Sequence, residues 1–167
     1  MSYLNKDKLL IKFGTENAVP NQAGEYSFDG PRHCIEINIP DMTKIVSTNG
    51  GSFLSDQVFF PKNARIESIE VISETACTGT GAVLNIGLIS SADRTTEIDF
   101  NGIVAAIPVT SLATAGQYTH LHEGDTYAGA LLGTTNSTVG YLVADYDTAA
   151  FTAGAVKMRL YYHTAGA

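Results

Sequence analysis

The chain has 167 residues, only 16% of them charged, and a formal net charge of −7. This length suits one domain that buries about two-thirds of its unfolded surface, so no metal or disulfide is needed to hold it. The acidic balance argues against nucleic-acid binding, which needs a basic surface to neutralise phosphates. No apolar run reaches the roughly 18 residues of a membrane span, so no membrane partner is expected.

The charged fraction lies below the roughly 25% of an average soluble domain. Much of the surface is therefore expected to be neutral, as in β-rich proteins that bury area against copies or partners. Cys34 and Cys77 lie far apart without CxxC spacing, which predicts two free thiols.

The amino-terminal segment differs from the rest in charge. Three lysines against one aspartate give residues 1–12 a charge of +2, which leaves −9 for the remainder. Its one short apolar patch is too small for a core of its own, so we predict an extended arm over residues 1–32 that lies against something else, such as a neighbouring subunit. A frayed terminus is the alternative. The first residues lack a secretory signal pattern, and we expect a protein that is made and kept soluble.

The predicted globular part spans residues 33–167 and opens with a short strand. Ile35, Ile37 and Ile39 alternate with polar residues until Pro40, which places this strand at an edge or beside a turn. Further on, Phe59 and Phe60 precede Pro61 and are expected to anchor the core at one end of a sheet.

Residues 59–89 read as two strands joined by a Thr/Gly turn. In the second strand the apolar residues from Ala82 to Leu88 alternate with a period of two, which is typical of a β-strand. In the first strand Ile69 and Val71 are in phase, but Ile66 falls three residues before Ile69. Ile66 can share their face only if one residue near Glu67 is bulged out, so we predict a β-bulge there.

The elements of the second half are shorter. Residues 97–100 are predicted as a short edge element, residues 118–122 as a weak strand before a turn at 123–125, and residues 128–132 as a small-residue strand. Residues 102–109 are either a single helical turn or a buried connection.

Two strands close the chain, at residues 141–146 and 156–162. In the last one Val156, Met158, Leu160 and Tyr162 are predicted to face inward. Eight to ten short strands without a helix indicate an all-β, antiparallel β-sandwich, jelly-roll-like, with an immunoglobulin-like sandwich as its rival. The predicted core residues are Ile69, Val71, Leu84, Ile86, Val156, Met158 and Leu160.

The sharpest candidate for chemistry is the pair His120 and His122, because two histidines at i and i+2 on a strand point the same way. In a cupin, however, the glutamate follows after a spacer, whereas Glu123 is adjacent here. We therefore predict an ordinary strand end and no metal site.

Other patterns also favour a structural interpretation. The Gly79-Thr80-Gly81 sequence precedes a strand and is predicted to be a turn. Asp145 and Asp147 are predicted to be exposed acids at a strand end. The glycosylation pattern at Asn136 is not expected to be used, and Tyr161 suits either sugar stacking or an interface. No catalytic residue and no cofactor is predicted.

Several stretches together resemble one class of proteins: FFPKNARIESIEVISETACTGTGAVLNIGL, NGIVAAI, YAGALLGT, GYLVADY and TAGAVKMRLYYH. Small virion proteins of tailed bacteriophages combine a Pro-Lys-x-Ala-x-Ile lead-in, a Gly/Thr hairpin and an x-Leu-x-Ile-Gly-Leu strand with similar later elements. The chain is similar to their capsid decoration, or cement, proteins and to head or tail fibre modules. The resemblance covers about residues 58–163, and residues 1–57 match no pattern of this class.

The resemblance implies a non-enzymatic protein of the outer capsid surface, assembled in the host cytoplasm. Its implied partners are the major capsid protein and two further copies in a homotrimer. A receptor- or carbohydrate-binding fibre module is the alternative. The docking element expected from the residues of the arm comprises Lys6, Lys8, Leu9, Leu10, Ile11, Lys12 and Phe13.

Overall fold

The computed structural model describes residues 23–27, 32–47, 58–92 and 96–164. Within them the chain forms ten strands and two short 3₁₀ turns, and no helix has the length and apolar character that crossing a membrane requires. The strands are β1 Ala23–Ser27, β2 Arg32–Ile39, β3 Val46–Ser47, β4 Phe59–Phe60, β5 Ala64–Thr78, β6 Val83–Ser90, β7 Glu97–Pro108, β8 Tyr118–His122, β9 Gly140–Asp147 and β10 Ala153–Thr164.

The strands form two sheets that pack face to face. Sheet A has the order β1-β2-β10-β5-β8, and sheet B has the order β3-β9-β6-β7, with β4 also paired to β9. All pairs are antiparallel except β3 with β9. When β3 and β4 are counted as one interrupted strand and β1 is set aside, this order is that of a jelly roll. The predicted antiparallel, jelly-roll-like sandwich is confirmed.

The turn between β5 and β6 joins the two sheets. The predicted turn is present, with Gly81 at a φ of 73°. However, β5 pairs with β10 and β8, while β6 pairs with β9 and β7. The hairpin expected from the resemblance is therefore wrong, because each strand finds its partners in a different layer.

The predicted bulge in β5 is confirmed. Tyr161 lies opposite Ser68 and Tyr162 lies opposite Ile66, so Glu67 has no counterpart in β10. The extra residue puts Ile66 and Ile69 on the same inner face, and both are buried.

A second bulge lies in β7, which extends over residues 97–108. The segment 102–108 is therefore part of a strand that starts at the predicted element 97–100, and neither the helical turn nor the buried connection is correct. Leu84 pairs with Ile107 and Ile86 pairs with Val104, so two residues of β7 lie opposite Asn85. Ala106 has a φ of 59° there, and its N–H donates to Asn85 Oδ1 at 2.8 Å. The buried amide side chain thus replaces the backbone acceptor that the bulge displaces.

Residues 128–132 are not a strand, contrary to the prediction. The segment forms turns that bridge the two sheets: the Leu131 N–H donates to Gly102 O of β7, and the Gly133 N–H donates to Ile66 O of β5. Gly133 has a φ of 83°, which an extended strand does not accommodate. The segment closes one flank of the sandwich instead of adding to a sheet.

The amino-terminal edge of sheet A begins with β1, which lies within the range predicted as an arm and pairs with β2. Strand β2 consequently lies between β1 and β10, so it is not an edge strand, and its predicted position beside a turn is confirmed by the 3₁₀ turn Met42–Lys44. Residues 1–22 lie outside the described part of the chain.

The core lies between the sheets. All seven core residues predicted from the alternation are buried. Phe60 is fully buried as predicted, whereas Phe59 is 53% exposed, because neighbouring residues of a strand point to opposite faces.

Truncation of the core should destabilise the protein strongly. We expect Leu84→Ala and Leu160→Ala each to lower the free energy of unfolding by about 2–5 kcal/mol, because each leaves a cavity in a packed layer. Urea denaturation measures the change. Unchanged midpoints for both variants would show that these side chains are not in the core.

The bulge in β7 should depend on the side chain of Asn85. Asn85→Ala removes the acceptor of the Ala106 N–H, and an unsatisfied buried donor costs about 1–3 kcal/mol. The exposed Asn101 of the same strand offers a matched control, and Asn101→Ala should change stability by at most about 0.5 kcal/mol. Equal losses in the two variants would contradict this role of Asn85.

Candidate interaction surface

The seven residues predicted as a docking element, Lys6 to Phe13, lie outside the described residues. The structure therefore places none of them, and their role remains a prediction. The surface that can be built from described side chains is the outer face of sheet A, which we define as the side that faces away from sheet B.

The strand register assembles a polar row across this outer face. Glu36 of β2 lies opposite Arg159 of β10, Arg159 lies opposite Glu70 of β5, and Glu70 lies opposite His120 of β8. Because alternate residues of a strand share a face, the strands that send Ile37, Met158 and Val71 into the core send these polar residues outward.

Arg159 holds the centre of this row. Its Nε donates to Glu36 Oε2 at 2.9 Å, and its Nη1 lies 3.7 Å from Glu70 Oε2. The hydrogen bond to Glu36 raises the pKa of Arg159. The side chains of Glu36 and Glu70 are only 10% and 16% exposed, so each depends on the guanidinium for compensation of its charge.

A second row contains Cys34 and Tyr161. Cys34 is 3% exposed although it points away from the core, and burial raises the pKa of its thiol to about 11. Burial also raises the pKa of Tyr161 to about 12, with Cys34 and Glu70 acting in the same direction. The Arg32 guanidinium lies 4.8 Å from the centre of the Tyr161 ring. That side of the ring is therefore covered by the chain itself and is closed to a stacked sugar.

Further charges on the outer face are also paired among the described side chains. Lys157 Nζ lies 2.8 Å from Glu74 Oε1, and Glu67 Oε2 lies 2.9 Å from Arg32 Nε and 3.0 Å from His163 Nε2. Such exposed pairs contribute only about 0–1 kcal/mol each to stability. Their consequence for recognition is larger, because paired charges leave the centre of the face close to neutral.

An exposed aromatic edge follows along β8. Tyr118 is 52% exposed, and its ring lies 6.0 Å from His120, which in turn lies 4.3 Å from His122. Desolvation and a hydrogen bond to Glu70 raise the pKa of Tyr118. The two histidines share a face as predicted. In the described ranges no three His, Cys, Asp or Glu residues are grouped so that they could hold a metal ion.

The other sequence candidates behave as structural residues. The turn at Gly79 and Gly81 is confirmed, and both cysteines are free thiols as predicted. The prediction of two exposed acids is wrong for Asp145, which is fully buried where β9 lies between β3 and β6, and is correct for Asp147. Asn136 is buried, and its amide donates to Pro61 O and Thr138 O.

Sequence reasoning missed the row of Glu36, Arg159 and Glu70. Arg159 was correctly predicted to point outward, and Glu36 alternates with isoleucines. The pairing of β2 with β10, however, joins residues 123 positions apart, and no local pattern reveals it.

Comparison with known proteins identifies the fold. No protein-family model matches the sequence, and a search of curated proteins finds no significant match. Among solved structures, a chain from a structure titled "Capsid of Ralstonia phage GP4" superimposes with a TM-score of 0.54 at 15% sequence identity, over 92% of this chain and 93% of that chain. The likeness shows a common fold over nearly the whole length of both chains.

The raised pKa of Cys34 predicts a specific pH dependence. In the unfolded chain the thiol ionises near pH 9, but in the folded protein it ionises near 11. Between these values the folded state holds a proton that the unfolded state has lost, so the free energy of unfolding falls as pH rises. After allowance for solvent screening we expect a loss of about 1–2 kcal/mol from this group.

Urea denaturation at pH 7, 9, 10 and 11 measures this loss. Cys34→Ala should show a shallower decline than the wild type between pH 9 and 11, while the decline due to Tyr161 above pH 10 persists in both proteins. Parallel curves over the whole range would contradict the proposed ionisation of Cys34.

Proposed function

We propose that the protein is a non-enzymatic structural protein of a bacteriophage virion. The observation that carries this proposal is the jelly roll shared, over more than nine-tenths of both chains, with a chain of a phage capsid structure. Because the two coverages are nearly equal, the two chains have nearly the same length, and the likeness extends over nearly all of both. The resemblance of residues 58–163 to virion proteins of tailed phages supports the same class independently.

Within this class we propose a capsid decoration protein that binds the outer head surface as a trimer. The major capsid protein is its partner, and neighbouring capsomers are held together through it. A packaged genome pushes outward on the shell, and a protein that binds only the assembled lattice stabilises that lattice by mass action. Many copies bind the lattice, each through several weak contacts, and this multivalency strengthens the overall binding.

The charge distribution supports different roles for the arm and for the sandwich domain. The body is acidic, but its described outer face on sheet A has its central charges paired internally. The segment up to Lys12 carries a charge of +2 and the apolar residues Leu9, Leu10 and Ile11. We therefore assign docking to the arm, either on the capsid or on a neighbouring subunit, with its lysines facing acidic groups there and its apolar residues buried on that surface.

A recognition module of a head or tail fibre is the second candidate. The exposed ring of Tyr118 beside His120 is the observation that favours it, since exposed aromatic side chains suit receptors and sugars. These rings lie along an edge strand, whereas the loops at the end of a sandwich are the usual recognition surface of such domains.

The decoration proposal predicts the behaviour of particles that lack the protein. Added full-length protein should bind them and raise the temperature at which they release their genome. Deletion of residues 2–22, which leaves β1 intact, should abolish both effects because it removes the docking arm. Binding is measured by sedimentation with particles, and heat resistance by genome release.

Lysine variants refine this experiment. Replacing Lys6, Lys8 and Lys12 by alanine should weaken binding at low salt and reduce its salt dependence. Replacing the exposed body lysines Lys44 and Lys62 by alanine should leave binding unchanged. Full occupancy by the deletion variant would refute the role of the arm, and failure of the full-length protein to bind heads would refute decoration.

A further inference from the structure

The outer edge of sheet A is open at β8. In this strand Gln117 O accepts from the Ser73 N–H of β5 at 2.9 Å, so the backbone groups of Thr119 and Leu121 also face β5. The N–H and C=O groups of Tyr118 and His120 therefore face away from the sheet. They have no hydrogen-bond partner within residues 23–27, 32–47, 58–92 and 96–164.

The corresponding edge of sheet B is closed. Residues 127–129, in the turn segment between β8 and β9, form hydrogen bonds to β7: the Ala105 N–H donates to Tyr127 O, and the Gly129 N–H donates to Ile103 O. On β8 the described residues bond an outward backbone group at one end of the strand, where the His122 N–H donates to Asp125 Oδ2 at 2.7 Å. An unprotected edge is a template for a further strand, and proteins that do not use such an edge usually block it.

The exposed aromatic residue lies on this same edge. Tyr118 is one of two large apolar side chains that are more than half exposed among the described residues, and Glu70, which raises the pKa of its hydroxyl, lies beside it. A tyrosine fixed in this way offers contact area at a low cost in side-chain entropy, which is why tyrosine is enriched in interfaces. The open backbone and the exposed ring together indicate that another chain binds here.

The residues of the arm fit this edge. Residues 8–13 read Lys-Leu-Leu-Ile-Lys-Phe, so an extended conformation puts Leu9, Ile11 and Phe13 on one side and Lys8, Leu10 and Lys12 on the other. Beside β8, the apolar side would continue the inner layer next to Leu121. The lysines would lie on the outer side, close to the exposed carboxylates of Glu123 and Asp125 in the turn that follows β8.

We propose that residues 8–13 of one copy add to β8 of a second copy as a sixth strand of its sheet A. The proposal rests on the association of copies in the proposed function but not on binding to a capsid. Strand β1, which follows the arm, lies at the opposite edge of the sheet from β8. The contact is thus heterologous, from one edge of a copy to the other edge of the next, and such contacts form a closed ring such as a trimer when the rotation between copies closes.

The connecting chain is long enough for this exchange. Nine residues separate Phe13 from Ala23 and span up to about 30 Å when extended, so residues 8–13 can leave the sheet of their own copy and reach an adjoining one. Binding to β8 of the same copy would require this connection to cross the paired charges of the outer face. The exchange between copies avoids that crossing.

Isotope-mixed cross-linking tests the exchange directly on the purified full chain without capsids. Protein with ¹⁴N and protein with ¹⁵N are mixed, dissociated and reassembled, and a carbodiimide then couples lysines to nearby carboxylates. Mass spectrometry should find Lys8 or Lys12 joined to Glu123 or Asp125 in pairs of unlike isotope. Pairs of like isotope alone would show binding within one copy, and the absence of these links would show that the arm does not bind β8. Either result would overturn the proposal.

Two variants test the geometry by their effect on self-association, measured by sedimentation equilibrium. His120→Pro removes an outward N–H together with the imidazole ring that lies beside Tyr118, and Ile11→Asp puts a charge on the apolar side of the arm. Each should raise the dissociation constant of the assembly at least tenfold. Thr80→Asp, which adds the same charge at the exposed turn between β5 and β6, should leave it unchanged.

Circular dichroism of the Ile11→Asp variant should retain the wild-type spectrum, because the substitution lies outside the sandwich strands. An assembly that survives both variants would overturn the exchange. Because no capsid is present, that outcome would leave decoration intact, whereas normal exchange combined with no binding to heads would refute decoration alone.

Discussion

The period-two alternation of β10, held between β2 and β5, is the constraint on which the rest of the structure depends. Its inner residues Val156, Met158, Leu160 and Tyr162 fill the core, and its outer residues include Lys157, Arg159 and Tyr161. A shift of the pairing by one residue would exchange the two sets and put a guanidinium in the core. The same register that packs the core therefore also brings Arg159 between Glu36 and Glu70. Core packing and the neutrality of the outer face have one origin.

Local sequence patterns predicted the parts of the fold that depend on one strand at a time. The alternation in β6 and β10 and the three-residue spacing between Ile66 and Ile69 each have a local physical cause, and the structure confirms them. Partner choice is not local. The hairpin was wrong because a tight Gly/Thr turn serves equally well between two strands of one sheet or between two sheets. The burial of Asp145 was missed for a similar reason, since it follows from neighbours that are distant in sequence.

In the turn segment between β8 and β9, the composition led to a wrong strand prediction. Residues 128–132 are small and apolar, and this composition suggested a strand. The glycines at 129 and 133 instead allow turns that meet both sheets. Of the candidate site, the arm residues were chosen from charge and apolar content alone. The open edge at β8 could not have been predicted, because it becomes visible only when the strand order is known.

A jelly roll does not by itself specify a function, so the proposals depend on what this chain places at its edges. The two sheets bury their apolar faces against each other, and most charges of the described outer face are paired within the chain. What remains for partners is an open strand edge with an exposed tyrosine, together with a basic and apolar arm. This arrangement suits a protein that acts by assembly, with the arm available to a neighbouring copy or to a shell.

A cryo-electron-microscopy reconstruction of the virion tests the proposed role most directly. Decoration predicts density for this jelly roll on the outer surface of the head, grouped in threes where capsomers meet. Density confined to the tail, or a head surface without this protein, would contradict it.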